Sequence, residues 1–348
     1  MSYKIGFIGC GGRGRTHARA YKEIENVVLM AAADIDKDRL QGFQDEFNIQ
    51  NGYNTFKEML ENEELDIVHL ATQPTLRVEP IVMAAEHGAK VILSEKPLVL
   101  NLPDYDTVLA ACEKLGATLV INHQLRYQTN WIKLREAIEA GGLGTIRIIR
   151  ISDFLDLISD GTHILDLVIF MLPNIPPTRV TGLVWDLSGF SKTHAGPNTS
   201  IGVVDFGEEC RCYFEIGENA PSVPNVPPSS MAFQMQIWGD EGRAETSLSQ
   251  GYRIWGKGER EWVGEVIPYG TQDTISQAET TKDLLLIIED KNFIHPCDAK
   301  IGRISFEIIE GVCHSSLRGE PVDLPLKESE SALVILRQKA KEEGALVL

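Results

Sequence analysis

Short apolar runs alternate with amphipathic stretches along residues 1–122. The apolar runs have the length of strands and are separated by helical segments, which is typical of βαβ units around a parallel sheet. We predict strands at residues 4–8, 27–33, 67–70, 91–93 and 118–121, and helices at 13–24, 37–47, 55–62, 79–87 and 103–115. Residues 1–122 are therefore expected to form a doubly wound α/β domain.

The pattern changes after Asn122. A helix predicted at 130–140 is followed by strands from residue 145 onward and at 179–187, 199–206, 211–216, 231–238 and 252–256, and by helices at 282–290, 298–317 and 327–343. Residues 220–230 hold four prolines and are predicted to be a surface loop. Strands that follow one another with single helices between them indicate an α+β domain over residues 123–348, with an open, mainly antiparallel sheet.

Composition narrows the classes of function. With 348 residues and 43% hydrophobic positions the chain can bury a sizeable core, and its formal charge of −17 opposes binding to nucleic acid or to anionic lipid. The six cysteines are scattered without a CxxC, so we predict neither a disulfide framework nor a metal site. No signal peptide and no apolar stretch of membrane-spanning length is visible, so we expect a cytoplasmic protein.

A glycine-rich turn follows the first predicted strand. Gly9-Cys10-Gly11-Gly12-Arg13-Gly14 matches GxGxxG, and a predicted helix comes next. In such a turn the first glycine permits the tight bend, the second admits a pyrophosphate, and the third lets the helix pack closely on the strand. Asp34, 20 residues beyond Gly14, would bond the ribose hydroxyls and repel a 2′-phosphate, which favours NAD over NADP. The neighbouring basic side chains of Arg13 and Arg15 weaken this preference slightly.

Two further motifs lie beyond the glycine turn: Ser94-Glu95-Lys96-Pro97, and the segment 160–166, Asp-Gly-Thr-His-Ile-Leu-Asp. They resemble the Glu-Lys-Pro signature and the second catalytic motif of the Gfo/Idh/MocA oxidoreductases, named for glucose-fructose oxidoreductase, inositol dehydrogenase and a rhizopine-catabolism protein. Residues 122–127, 144–146 and 302–326 are similar to the family's interdomain junction, second-domain entry and C-terminal helix with its tail. The resemblance covers nearly the whole chain.

The resemblance implies roles for individual residues. Lys96 would stabilise negative charge on the substrate oxygen as hydride leaves, and His163 would accept the hydroxyl proton. Glu95 would orient the cofactor rather than carry a proton. The cofactor-binding residues implied are Gly9, Gly11, Gly12, Arg13, Gly14, Asp34, Thr72, Pro74, Glu95 and Lys96.

The chain departs from the family pattern at two positions. The family commonly has an aspartate four residues before its catalytic histidine, where this chain has Ser159, with Asp160 one place later. Asp160 either supplies the catalytic carboxylate from a shifted backbone or only caps the following helix. Arg77 stands where many relatives carry a histidine, a change that bears on packing of the cofactor loop more than on catalysis.

Substrate contacts are predicted for Arg126, Tyr127 and His194. Arg126 and Tyr127 fall at the expected junction of the two domains, where a hinge role is equally consistent with the sequence. His194 lies in a turn-rich stretch and is either a substrate contact or an exposed loop histidine.

The resemblance implies an NAD-dependent dehydrogenase that oxidises a secondary alcohol of a sugar, cyclitol or related polyol. Two alternatives stay open, because some relatives use bound NAD transiently to cleave glycosides, and a regulator could bind NAD or a sugar without turnover. Family members commonly pair through the open sheet of the second domain, so we expect a homodimer or homotetramer with no nucleic-acid or membrane partner.

Overall fold

A computed structural model describes residues 2–221 and 233–345. The chain divides into two compact units: unit 1 comprises Met1–Val99, Asp104–Gln124 and Thr274–Lys300, and unit 2 comprises Leu100–Pro103, Leu125–Asp273 and Ile301–Leu348. The predicted proline-rich loop at 220–230 and the start of the strand predicted at 231–238 fall largely outside the described residues.

Unit 1 is built on a parallel sheet. Its strands are β1 (Tyr3–Ile8), β2 (Val27–Ala33), β3 (Asn51–Tyr53), β4 (Ile67–Leu70), β5 (Val91–Ser94) and β6 (Thr118–Ile121). They lie in the order β3-β2-β1-β4-β5-β6 with every pairing parallel, which confirms the predicted doubly wound fold. The strand order reverses between β1 and β4, and ligands of such sheets bind beyond the carboxyl ends of the strands at this point.

The helices of unit 1 begin and end where local chemistry favours it. They are α1 (Gly12–Arg19), α2 (Lys37–Phe47), α3 (Phe56–Asn62), α4 (Val78–Glu86), most of α5 (Leu102–Leu115) and most of α8 (Tyr269–Glu289). Asp36 and Thr55 cap α2 and α3 with their side-chain oxygens, and Asn48 ends α2 in the left-handed conformation. These caps agree with the helix limits predicted from the sequence.

Unit 2 is built on a mixed sheet. Its strands are β7 (Ile146–Asp153), β8 (Pro177–Trp185), β9 (Thr199–Phe206), β10 (Cys210–Ile216), β11 (Gln234–Gly239), β12 (Arg243–Ser247), β13 (Gly251–Trp255), β14 (Val263–Glu265) and β15 (Val322–Asp323). Over the described residues the order is β14-β13-β12-β11-β7-β10-β9-β8-β15, and only β7 and β10 pair in parallel. The predicted open, mainly antiparallel sheet is confirmed.

One face of this sheet is covered and the other is open. Ile149, Ile151 and Phe214 point to the covered face and are buried, whereas Leu183 and Ile201, which are direct cross-strand partners, are 52% and 37% exposed. The helices of unit 2 are α6 (Thr129–Glu139), α7 (Gly161–Met171), α10 (Ala332–Glu342) and most of α9 (Ala299–Arg318). Every residue of α7 is buried.

Some elements differ from the prediction. The short strands β3, β12, β14 and β15 were not predicted. Helix α8 begins at Tyr269, although a helix was predicted only from residue 282, and α10 begins at Ala332 rather than at residue 327. Ser331 caps α10 by accepting a hydrogen bond from the Val334 amide, which explains its later start. In the part of the chain that the structure describes, no helix is both long and apolar enough to cross a membrane.

Candidate functional site

The glycine turn connects β1 to α1, and each glycine has a distinct steric environment. Gly9 has a φ of +97°, and a Cβ atom there would lie 2.9 Å from the backbone of Ala71. A Cβ atom at Gly14 would lie 2.1 Å from the carbonyl oxygen of Gly9, so only glycine allows the helix to approach the strand this closely. Gly11 and Gly12 differ, because a Cβ atom at either would meet nothing within 4 Å.

The first turn of α1 presents its amides to this open space. Gly11 occupies the N-cap position and, having no side chain, makes no capping hydrogen bond to the helix. The first N–H groups of a helix need partners and carry partial positive charge, so they favour an anion such as a pyrophosphate. Thr72, at the carboxyl end of β4, adds a buried hydroxyl that has no hydrogen-bond partner among the described residues. Pro74 is buried in the short 3-10 turn Pro74–Leu76 that follows.

Asp34 lies at the end of β2 and is tied to the glycine turn. Its Oδ2 accepts a hydrogen bond from the Cys10 amide at 2.8 Å, and its Oδ1 accepts one from the Asp36 amide at 2.9 Å. The side chain is buried, and the guanidinium of Arg39 lies 3.7 Å from Oδ2. Each carboxylate oxygen has two lone pairs, so Asp34 retains acceptor capacity for ribose hydroxyls. These features fit the adenosine ribose of a dinucleotide.

The basic side chains near the turn are held by acidic partners. Arg13 donates to Glu95 with an Nε to Oε1 distance of 2.8 Å, and its Nη2 lies 3.3 Å from Oε1 of Gln277. Arg15 pairs with Glu46 and also donates to the carbonyl oxygen of Gly42. Both arginines are therefore engaged by other residues of unit 1. In the sequence, these two side chains weakened the predicted preference for NAD over NADP.

Glu95 is the centre of a buried polar cluster at the carboxyl end of β5. Its Oε1 lies 2.8 Å from Arg13 Nε, 2.9 Å from His17 Nε2 and 2.9 Å from Asn122 Nδ2. Burial by itself would raise the pKa of Glu95, but the Arg13 charge and the hydrogen bond with His17 hold that pKa well below its ordinary value. Glu95 is therefore ionised at neutral pH, which suits an orienting residue better than a proton carrier.

Lys96 follows Glu95 directly and is half-buried. The backbone on both sides of it is held by Arg77, whose guanidinium donates to the carbonyl oxygens of Glu95 and Pro97. Arg77 Nε also donates to the Thr72 carbonyl at 3.0 Å. The Arg77 side chain is almost fully buried, and burial lowers its pKa to about 10. This arginine thus ties the ends of β4 and β5 together around Lys96.

His163 lies in the first turn of α7 in unit 2. It is buried, its ring centroid is 6.3 Å from that of Phe233, and its backbone amide donates to the Asp160 carbonyl at 2.8 Å. Asp160 occupies the N-cap position of α7, but its side chain makes no capping hydrogen bond to the described helix. Its backbone position is therefore that of a cap, while its carboxylate does not serve as one.

The residue at the family aspartate position, Ser159, is held by a different carboxylate. Asp156 accepts hydrogen bonds from the Ser159 amide at 2.7 Å and from the Ser159 hydroxyl at 2.8 Å. His194 Nδ1 lies 3.3 Å from the same hydroxyl oxygen, and the histidine is half-buried.

Arg126 is engaged in a buried, bidentate ion pair. Its Nε lies 2.6 Å from Oδ2 of Asp166, and its Nη2 lies 2.7 Å from Oδ1. Asp166 ends the motif that contains His163, so the pair links this helix to the segment after Leu125. Tyr127 follows in the same short 3-10 turn and is half-buried. The predicted substrate contacts of Arg126, Tyr127 and His194 stay predictions.

Sequence reasoning did not identify several residues that organise these sites. Arg77 was interpreted as a packing change, and the sequence predicted no role for His17, Gln277 or Asp156. Gln277 Oε1 lies 2.9 Å from Asn122 Nδ2, although the two residues are 155 positions apart in the chain. The position of Asp156, three residues before Ser159, is the one signal that could have suggested its role.

The fold and the glycine turn of unit 1 define a dinucleotide-binding Rossmann domain. Comparison with known proteins agrees: residues 3–123 match the family model of the Gfo/Idh/MocA proteins, described as "Oxidoreductase family, NAD-binding Rossmann fold". The resemblance seen in the sequence is therefore confirmed for residues 3–123, which are similar to the NAD-binding domain of that family.

Individual relatives are similar over part of the chain. A myo-inositol 2-dehydrogenase from Thermotoga maritima is 32% identical over 149 residues, which cover 43% of this chain and 44% of the relative. A D-apiose dehydrogenase from Paraburkholderia graminis is 32% identical over 143 residues, 41% of this chain and 38% of the relative. The matched segments thus span less than half the length of these curated relatives.

Solved structures resemble almost the whole chain in fold. An oxidoreductase from Agrobacterium radiobacter, in complex with NAD+, L-tartaric acid and magnesium, has a TM-score of 0.78 at 20% identity and covers 93% of this chain and 98% of its own. A levoglucosan dehydrogenase in complex with NADH and levoglucosan has a TM-score of 0.81 at 16% identity, covering 94% and 100%. At these identities the likeness shows the fold alone, which both units share with these proteins.

Proposed function

We propose that this protein is an NAD-dependent dehydrogenase that oxidises a secondary alcohol of a sugar, cyclitol or related polyol. The observation that carries the proposal is the position of Lys96, next to the fixed Glu95 cluster and at the same carboxyl edge of the sheet as the glycine turn. Relatives named as inositol and apiose dehydrogenases support the substrate class.

The chain's residues have separate tasks in this reaction. Gly11, Gly12 and the open end of α1 receive the pyrophosphate, and Asp34 receives the ribose. When bound, NAD supplies the hydride acceptor. The Lys96 ammonium lowers the energy of negative charge developing on the substrate oxygen, which is electrostatic stabilisation of the transition state.

His163 is proposed to accept the proton of the substrate hydroxyl. A neutral imidazole has one bare ring nitrogen that can accept a proton. A positioned acid or base contributes about 100- to 10,000-fold to the rate. Asp160, at the start of the same helix, is the next candidate for this step.

A screen of polyols and sugars for NADH formation, including phosphorylated and nucleotide-linked sugars, tests the proposal. Lys96→Met and His163→Asn should each abolish turnover of the substrate found, with retained NAD affinity and folding. Lys90→Met is the matched control, because Lys90 is an exposed lysine of the same unit paired with Asp66. Release of an aglycone without net NADH would favour the glycosidase, and binding without turnover would favour the regulator.

We also propose that the open face of the second sheet pairs with a second copy of this chain. Leu183, Ile201 and Tyr213 are 52%, 37% and 36% exposed on this face, and such contiguous apolar patches usually mark interfaces. Sedimentation of the wild type should give a homodimer or homotetramer, and Leu183→Asp should shift it to a smaller species. A wild type that is monomeric at micromolar concentration would contradict this.

A further inference from the structure

A series of buried polar side chains crosses unit 1 from Tyr21 to Glu95. The Tyr21 hydroxyl oxygen lies 2.7 Å from His69 Nε2, and His69 Nδ1 lies 3.2 Å from His17 Nδ1. The other ring nitrogen of His17, Nε2, lies 2.9 Å from Glu95 Oε1. All four residues are buried. Each ring nitrogen of the two histidines therefore has a partner in this series, which we call the histidine relay.

The charge of Glu95 sets the direction of the contact with His17. The carboxylate is ionised, receives Arg13 Nε at 2.8 Å, and can only accept hydrogen bonds. His17 must therefore carry its proton on Nε2, because otherwise a nitrogen lone pair would lie 2.9 Å from the carboxylate oxygen. Asn122 Nδ2 also lies 3.2 Å from His17 Nε2. Its two protons serve Glu95 and Gln277, each 2.9 Å away, so this contact does not reverse the direction.

The remaining directions follow because a neutral imidazole has one N–H. Burial lowers the pKa of both histidines, so both rings are neutral in the folded protein. With its proton on Nε2, His17 has a bare Nδ1, which accepts a hydrogen bond from the Nδ1–H of His69. His69 is then bare at Nε2 and accepts from the Tyr21 hydroxyl. The histidine relay thus donates in one direction, from Tyr21 to Glu95.

The histidine relay joins two parts of unit 1 that the proposed function uses. His17 lies on α1, the helix that begins at the glycine turn. Arg13, one turn earlier on this helix, donates to the same oxygen of Glu95. Glu95 directly follows β5 and precedes Lys96. Helix α1 and the backbone that carries Lys96 are therefore tied together through a single carboxylate oxygen.

We propose that His17, His69 and Tyr21 are positioning residues that act through Glu95 to hold the Lys96 backbone in place relative to α1, the helix that receives the pyrophosphate. Each hydrogen bond of the histidine relay polarises the next, so the three residues act as one unit. The effect on Lys96 rests on the proposed dehydrogenase function, whereas the direction of the relay does not.

The direction of the histidine relay is tested without cofactor or substrate. Two-bond proton–nitrogen correlation spectra of the ¹⁵N-labelled full chain distinguish protonated from bare imidazole nitrogens, and His17→Gln and His69→Gln assign the signals of the two rings. The wild type should show His17 protonated at Nε2 and His69 protonated at Nδ1. Tyr21→Phe should shift the His69 Nε2 resonance towards that of a bare nitrogen without a hydrogen bond. Tyr53→Phe is the matched control, because the Tyr53 hydroxyl donates to Glu63 at 2.6 Å, outside the relay.

The positioning role is tested by kinetics on the alcohol found in the screen. His17→Leu removes one hydrogen bond to a charged group, so kcat should fall about 10-fold while KM for the alcohol changes less than about 3-fold. His17→Gln keeps an N–H donor and should restore most of kcat. Tyr21→Phe should lower kcat about 3-fold, the loss expected for a hydrogen bond between neutral groups, and Tyr53→Phe should not lower it. Circular dichroism verifies that each variant is folded.

Each outcome decides part of the inference. A wild-type proton on Nδ1 of His17 or on Nε2 of His69 would overturn the direction of the histidine relay. A wild-type kcat in His17→Leu, or a kcat in His17→Gln no higher than in His17→Leu, would overturn the positioning role. If His17→Leu does not fold, a wild-type kcat in Tyr21→Phe would overturn it instead. If the wild type oxidises no polyol with NAD, the proposed function and the positioning role fail together, while the spectra still decide the direction.

Discussion

The carboxylate of Asp34 accepts a hydrogen bond from the Cys10 amide, with 2.8 Å between Oδ2 and the nitrogen. This contact joins the end of β2 to the glycine turn, and the proposed function assigns the ribose of the cofactor to the same side chain. The charge of this carboxylate should therefore govern which dinucleotide binds.

We expect the wild-type protein to bind NAD more tightly than NADP. Asp34→Asn should weaken NAD binding about 10-fold, because a hydrogen bond to a charged group contributes about 1.4 kcal/mol more than one to a neutral group. The same variant should reduce the discrimination against NADP, since it removes the charge that repels a 2′-phosphate. Calorimetry with both cofactors measures this. Asp36→Asn is the control, because Asp36 caps α2 and asparagine caps equally well. Equal or tighter binding of NADP to the wild type would refute the assignment.

Gly14 and Gly11 should respond in opposite ways to the same substitution. Gly14→Ala places a Cβ atom 2.1 Å from the Gly9 carbonyl oxygen, and such overpacking should destabilise unit 1 by about 1–3 kcal/mol. Gly11→Ala meets no atom of the described chain within 4 Å, so the protein should keep its melting temperature but lose NAD affinity. Melting curves and calorimetry on the two variants give the comparison. Unchanged NAD affinity in Gly11→Ala would show that the open space is not the pyrophosphate site.

Arg77→Lys should disturb the segment around Lys96. A lysine ammonium cannot reproduce the planar fork that serves the carbonyl oxygens of Thr72, Glu95 and Pro97, so we expect a loss of about 2 kcal/mol in stability. If the alcohol screen yields a substrate, kcat should fall more than the affinity for NAD falls. The reason is that the substitution displaces the backbone on both sides of Lys96, the residue proposed to act on the substrate oxygen. Arg19→Lys serves as the control, since Arg19 is an exposed arginine of the same unit that pairs with Glu46. If Arg77→Lys is destabilised but keeps the kcat of the wild type, Arg77 has a purely structural role and does not position Lys96.

The sequence was most informative where apolar periodicity and turn chemistry agree. The limits of β2, β4, β6 and α2 match the prediction because buried apolar runs end there at polar residues or caps. The glycine turn was predicted for the same reason, since the local backbone requires glycine at Gly9 and Gly14.

Helix α8 shows why other parts could not be predicted. Its first half is rich in serine, threonine and glutamine, yet Ser276, Gln277 and Thr280 are almost fully buried. A buried polar face gives no hydrophobic periodicity from which a helix could be predicted. Its hydrogen-bond partners also lie elsewhere in the sequence: Gln277 pairs with Asn122, and the Thr280 carbonyl oxygen pairs with His295. The cluster around Glu95 was missed for this reason, because it is assembled by long-range contacts.

The chain of buried histidines in unit 1 should make stability depend on pH. His69 Nε2 lies 2.7 Å from the Tyr21 hydroxyl, and its Nδ1 lies 3.2 Å from Nδ1 of His17. Burial, together with the neighbouring His17, holds the pKa of His69 well below its ordinary value, and burial also lowers the pKa of His17. Both rings are therefore neutral in the folded protein at pH values where histidines of the unfolded chain become protonated.

The sign of the effect follows from proton binding. Below about pH 6.5 the histidines of the unfolded chain take up protons that the buried histidines of the folded chain do not. The free energy of unfolding therefore decreases as the pH falls below this value, by up to about 1.4 kcal/mol per pH unit for each buried histidine. The urea midpoint of wild type should fall from pH 7.5 to pH 5.5, and His69→Gln, which cannot titrate, should show a smaller fall. His87→Gln, at an exposed histidine, should behave like the wild type. The same fall in His69→Gln as in wild type would mean that His69 does not contribute to the acid sensitivity.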